Sequence, residues 1–222
     1  MTPVYCQVRR APAPGTPARP GIFLDRDGVI VEDTGYLHKI EDVRYIDGAL
    51  TAIARLNQLG IVVVVISNQA GIGKGYYGWK EFEQVQEHIE RQLAIEGGWL
   101  DGTWGCACHP EGLGELAVAD HPFRKPNPGM ILAAASSLAI DLSASWLVGD
   151  KPLDIEAAYR AGLRGAVHVL SGYGKETRGQ VAQWKRDLVG SQFQLYYVKS
   201  LAKAVQASPS WLTEAEQAPI HD

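Results

Sequence analysis

Six consecutive β-branched residues, Ile61-Val-Val-Val-Val-Ile66, leave this chain few folds to choose from. A strand with one solvated face alternates apolar and polar residues. One that is apolar on both faces must be covered on both, as a central parallel strand is between two layers of helices. Gly21-Ile-Phe-Leu24, Trp146-Leu-Val-Gly149 and Ala166 to Leu170 repeat the pattern in shorter form. Between the strands lie segments of helical period, with Leu50, Ile53, Leu56 and Leu59 in one and Phe82, Val85, Ile89 and Leu93 in the next. Alternating strand and helix predicts an α/β fold, a three-layer doubly wound parallel sheet.

At 222 residues the chain suits one sizeable core. Residues 1–20 are rich in proline, alanine and arginine without a hydrophobic period and read as an N-terminal arm or a surface strap. The domain is expected over 21–205 and a C-terminal tail over 206–222. Val31 to Asp47 is too polar for core and is placed as a flap. Gly105 to Phe123 is irregular and reads as a loop insertion over 105–123, and no segment is long enough for a large cap domain. A net charge of -4 argues against nucleic acid as a partner, so small molecules are expected. The longest aliphatic run is far short of the ~20 residues that cross a bilayer, so no membrane partner and a cytoplasmic location are expected. Three cysteines cannot build a disulfide framework.

The strands end in chemistry. Asp25 and Asp27 follow the first apolar strand at i and i+2, so both carboxylates can address one volume beyond its carboxyl end, where open parallel sheets bind ligands. A calcium loop is excluded, because Val29 stands at a ligand position and no glutamate closes a twelve-residue span. The next strand delivers Ser67-Asn68-Gln69, followed by glycines that do not form a nucleotide-binding P-loop. Arg124-Lys125 sits in a proline-bounded loop, and Asp150 follows the strand 146–149 with Asp154 just beyond. Several acids with one lysine and one hydroxyl suit a hard cation plus a phosphoryl group. Mg²⁺ takes oxygen ligands, and clustered carboxylates without a cation would repel one another.

Phe23-Leu-Asp-Arg-Asp-Gly28, Ser67-Asn-Gln69, Arg124-Lys-Pro126 and Val148-Gly-Asp150 with Asp154 resemble the ordered motifs of the haloacid dehalogenase-like phosphohydrolases. Within them the chain is most similar to the branch acting on a heptose bisphosphate or on histidinol phosphate. The resemblance implies that Asp25 is the nucleophile that becomes an aspartyl phosphate, and that Asp27 is the general acid and base. It implies that Asp25, the main-chain carbonyl of Asp27 and Asp150 hold Mg²⁺, while Ser67, Asn68 and Lys125 bind the transferring phosphoryl group. Arg124 would suit the second phosphate of a sugar bisphosphate, and the protein is expected to act as a monomer. The same branch carries four zinc ligands before its Arg-Lys-Pro. Here Cys108 replaces a histidine, His121 replaces a cysteine and Phe123 replaces the last, so Cys106, Cys108 and His121 remain as a structural zinc set, with His109 as a further candidate. A receiver-like signalling module would need a phosphoacceptor beside Ser67, which is missing, and a non-catalytic phosphosugar-binding protein would not need every reacting group.

Overall fold

A computed structural model describes residues 2–187 and 191–206. Seven strands form one sheet: β1 Val4–Val8, β2 Gly21–Leu24, β3 Val62–Asn68, β4 Gly102–Cys106, β5 Trp146–Gly149, β6 Gly165–Val169 and β7 Gln194–Val198. Their order across the sheet is β1-β4-β3-β2-β5-β6-β7, parallel except for the β1–β4 pair. The helices are α1 Ala49–Gln58, a single turn α2 Ala70–Gly73, α3 Trp79–Ile95, α4 Gly129–Leu138, α5 Pro152–Arg160, α6 Gly174–Asp187 and α7 Leu201–Gln206.

Two apolar clusters sandwich the sheet, as the two-faced strands require. Val63 and Val65 point into one with Ile53, Leu56, Val85 and Ile89, while Val62, Val64 and Ile66 point into the other with Met130, Ile131 and Ile155. Burying one such side chain stabilises by about 1.5–3 kcal/mol, so the alternating valines of β3 bind both helix layers to the middle of the sheet. The strand order reverses between β2 and β5, and the site residues lie just past the carboxyl ends of β2, β3 and β5.

Two expectations are corrected. Residues 4–8, assigned to an arm outside the domain, are the edge strand of the sheet. Gly105 and Cys106, assigned to the loop insertion, are the end of β4. Two glycines weaken the strand signal of Gly102-Thr-Trp-Gly-Cys106, yet the first is what lets β1 and β4 meet. A Cβ on Gly102 would lie 2.8 Å from the carbonyl oxygen of Gln7 and 2.5 Å from the Trp104 ring. The expected tail lies outside the described residues except for Gln206, which ends α7.

Candidate active site

β2 runs into Asp25, β3 ends on Ser67 and Asn68, and β5 leads to Asp150; because β2 pairs with both neighbours in parallel, these ends converge. Lys125 enters from the loop before α4. Its ammonium lies 3.0 Å from Asp25 Oδ1 and 2.7 Å from Asp154 Oδ1, and donates to the Ile66 carbonyl at 3.1 Å. Lys125 is 2 % exposed and Asp150 and Asp154 are 0 % exposed, so these charges act in a low-dielectric setting. Burial works against the Lys125 ammonium, but Asp154 and Asp25 outweigh it and hold its pKa above the ordinary lysine value.

Carboxylate oxygens of Asp25, Asp150 and Asp154 lie within 4.8 Å of one another. Burial first, then Asp25 and Asp154, push the Asp150 carboxyl up to about 7, and burial likewise raises Asp154 against the pull of Lys125. Asp150 Oδ2 accepts the Tyr173 N–H at 2.8 Å, while the buried Oδ1 has no hydrogen-bond partner. An orphaned carboxylate oxygen amid three acids fits a divalent cation with oxygen ligands. Gly28, with φ of +88°, and Gly172, with φ of +55°, pack directly on the Asp150 carboxylate where any Cβ would collide with Oδ2.

Asp27 is held by its neighbour: Arg26 Nε and Nη2 lie 3.0–3.3 Å from both carboxylate oxygens. Burial raises its pKa, Arg26 opposes and Asp25 adds to the rise, leaving Asp27 easier to protonate than an ordinary aspartate. Gln69 Nε2 donates to Ser67 Oγ at 2.7 Å and reaches Asp27 Oδ2 at 3.3 Å, and Tyr77 donates to Gln69 Oε1 at 2.6 Å. Ser67 therefore accepts from Gln69 and keeps its own hydroxyl proton for a ligand.

A cleft opens over this cluster, lined by Asp25, Asp27, Ser67, Asn68, Arg124 and Lys125 among others. Asn68, expected to bind the transferring phosphoryl group, has its side-chain amide committed elsewhere. Its Nδ2 donates to the Lys125 carbonyl and its Oδ1 accepts the Lys125 N–H, both at 3.0 Å, so it positions the lysine. Arg124 Nη1 donates to the Cys108 carbonyl at 2.7 Å. His38 stacks on Tyr77 and does not line the cleft, where Asp33, Tyr36 and Leu37 of the flap do.

Several participants were not singled out in the sequence. Lys151 pairs with Asp33 at 2.8 Å, tying the flap to the end of β5. Thr177 and Ser171 donate to the carbonyls of Asp150 and Gly28, each at 2.7 Å, so the β6–α6 segment supports the acid cluster from below. Arg26, inside the Asp-Arg-Asp motif, and Lys151, directly after Asp150, have readable signals, whereas Ser171 and Thr177 have none.

A second cluster joins Cys106, Cys108 and His121, whose ligand atoms also lie within 4.8 Å of one another. His109 is not in it; its Nδ1 accepts the Glu111 N–H at 3.1 Å. Burial pushes the Cys106 thiol up to about 12 and raises Cys108 as well.

A model of the HAD-hydrolase-like family matches residues 122–194. The D-glycero-β-D-manno-heptose-1,7-bisphosphate 7-phosphatase of Mesorhizobium japonicum is 47% identical over 147 residues, 66% of this chain and 68% of that protein. A HAD-like protein of Mesorhizobium loti superposes with a TM-score of 0.79 at 35% identity over 97% of both chains. The D,D-heptose 1,7-bisphosphate phosphatase of B. bronchiseptica, solved with magnesium and phosphate, gives 0.70 at 30% identity over 85% of this chain and 97% of its own. With strand ends, acids and lysine arranged as described, the chain belongs to the haloacid dehalogenase-like phosphohydrolases and is a phosphoric monoester hydrolase.

Proposed function

We propose that this enzyme removes the 7-phosphate of D-glycero-D-manno-heptose 1,7-bisphosphate through an aspartyl phosphate formed on Asp25. The observation that carries the reading is the single buried locus where Lys125 meets Asp25 at 3.0 Å beside Asp150 Oδ1, which has no hydrogen-bond partner. Relatives that act on this sugar bisphosphate support the substrate.

Asp25 Oδ1 is engaged by Lys125 and by the Arg26 N–H at 2.9 Å, which leaves Oδ2 to attack phosphorus as the ester oxygen departs. Asp27, with its raised pKa, gives that oxygen a proton and then takes one from the water that hydrolyses the intermediate. Lys125 neutralises the phosphoryl oxygens and Ser67 donates to them, where charge spreads in a loose transition state. Arg124 takes the phosphate that is not transferred. Asp25, Asp150 and the Asp27 carbonyl would hold Mg²⁺, which supplies further charge stabilisation when bound. The site serves a small-molecule phosphate ester in the cytoplasm, acted on by a monomer.

Phosphate release with Mg²⁺ from both anomers of the heptose bisphosphate and from histidinol phosphate tests this, with Asp25→Asn as the blank. The expected outcome is rapid release from a heptose bisphosphate and none from the blank. Equally slow release from every compound would defeat the substrate assignment.

A further inference from the structure

The loop between β4 and α4 carries Arg124 and Lys125 into the cleft, so its anchoring bears on the site. The thiol and imidazole cluster fits a structural zinc ion poorly. It offers three ligand atoms, among the described residues no fourth joins them, and a closed tetrahedral site needs four. The Nδ1 of His121, the ring nitrogen 3.7 Å from Cys106 Sγ, already accepts the Phe123 N–H at 3.1 Å, a bond that ligation through that nitrogen would break.

β1 makes the contacts that such an ion would otherwise supply. Val4 and Tyr5 lie opposite Cys106 and Gly105, and the Ala107 N–H donates to the Pro3 carbonyl at 2.9 Å. Trp79 Nε1 donates to the Thr2 carbonyl at 2.8 Å, and the Tyr5 ring stacks on Trp79 at 5.5 Å and meets Phe82 edge-on at 5.2 Å. The route onward is short, since Cys108 follows Ala107 and its carbonyl receives Arg124 Nη1.

We propose that β1, in place of a metal ion, fixes this loop and through it the guanidinium of Arg124, so that β1 is a positioning element for the phosphate that is not transferred. The inference rests on the reading of Arg124 given above.

The ladder supplies a matched pair of variants. Pro3 and Arg9 both bond toward β4 and its approach, so by antiparallel alternation Gln7 also turns its N–H to β4 while Cys6 turns its N–H outward. Gln7→Pro removes a ladder bond and Cys6→Pro does not. In the full-length protein, Gln7→Pro is expected to raise KM for the heptose bisphosphate about tenfold with kcat within about twofold. KM for a heptose 7-monophosphate should stay put, and Cys6→Pro should change neither. Tyr5→Ala, which keeps the backbone and loses the stacking, should give a smaller shift of the same kind should Gln7→Pro fail to fold. Metal analysis of the purified wild type should find far less than one zinc per chain. One tightly held zinc per chain, or an unchanged KM in both β1 variants, overturns the proposal. Arg124→Ala separates the two readings: an unchanged KM there removes the phosphate role of Arg124, while the zinc content and the thermal midpoints of the β1 variants still judge the anchoring.

Discussion

Asp25, Asp150 and Asp154 come from the ends of β2 and β5 and the first turn of α5, whereas Cys106, Cys108 and His121 come from the end of β4 and the loop that leaves it. Each cluster offers three ligand atoms within the same span, yet they differ in charge. Lys125 pairs with two of the buried acids, Asp25 and Asp154, while the third, Asp150, has only the more distant Lys151 ammonium at 4.0 Å, and burial with the two neighbouring acids pushes its carboxyl up to about 7. Burial keeps the Cys106 thiol protonated up to about 12, and a neutral thiol in an apolar setting needs no counterion. Ligand count and spacing therefore do not by themselves mark a metal centre. A deficit of positive charge, held by rigid strand ends, is the stronger sign.

The largest effect should follow from removing the one ammonium that touches both Asp25 and Asp154. Lys125→Met leaves two buried carboxylates without their partner, and breaking a buried pair typically costs about 3–5 kcal/mol of stability, read from denaturant midpoints. Turnover should fall by at least ~10³, because the charge on the transferring phosphoryl group loses its main protein donor. Activity within tenfold of wild type would show that the acid cluster does not depend on this cation, and the contrast drawn above would fail.

Next in size is a pH effect confined to the acid cluster. The folded-state pKa of Asp150 is raised from 3.8 to about 7, so between these values the folded protein binds more protons than the unfolded chain. Metal-free protein should thus lose stability as pH rises through that window, by an amount on the order of a few kcal/mol. Mg²⁺ should offset the loss, so its stabilisation is expected to be small near pH 4 and largest above pH 7. Thermal melts with and without Mg²⁺ across that range check this, and a stabilisation independent of pH would assign the metal to other groups.

The difference between the clusters also explains what could be read from the sequence. Asp25, Ser67 and Asp150 each end an unbroken apolar run, so local pattern fixed both the strands and the chemistry at their ends. β4 was missed because its glycines serve a partner nearly a hundred residues away, and β1 because its five residues sit in a proline-rich arm. Long-range pairing leaves no local period. The resemblance of Ser67-Asn-Gln69 to a family motif points Asn68 at phosphate, but only the fold shows that the Lys125 backbone fills its amide. The donors beneath Asp150, Tyr173 and Thr177, are loop and helix residues whose sequence carries no motif.

The smallest effect is expected where the thiol cluster is disturbed. Cys108 is buried, and its carbonyl rather than its sulfur engages Arg124. Cys108→Ala removes one sulfur atom from a neutral, packed site and should cost about 1 kcal/mol in denaturant unfolding, at the low end of large-to-small core substitutions. Arg124 keeps its acceptor, so KM for the bisphosphate should stay within twofold, about the change that a few tenths of a kcal/mol produces. If the sulfur instead held a structural metal, its loss would cost several kcal/mol and release the ion. The two outcomes are far enough apart for a single pair of unfolding curves to decide whether the clusters differ in kind or only in degree.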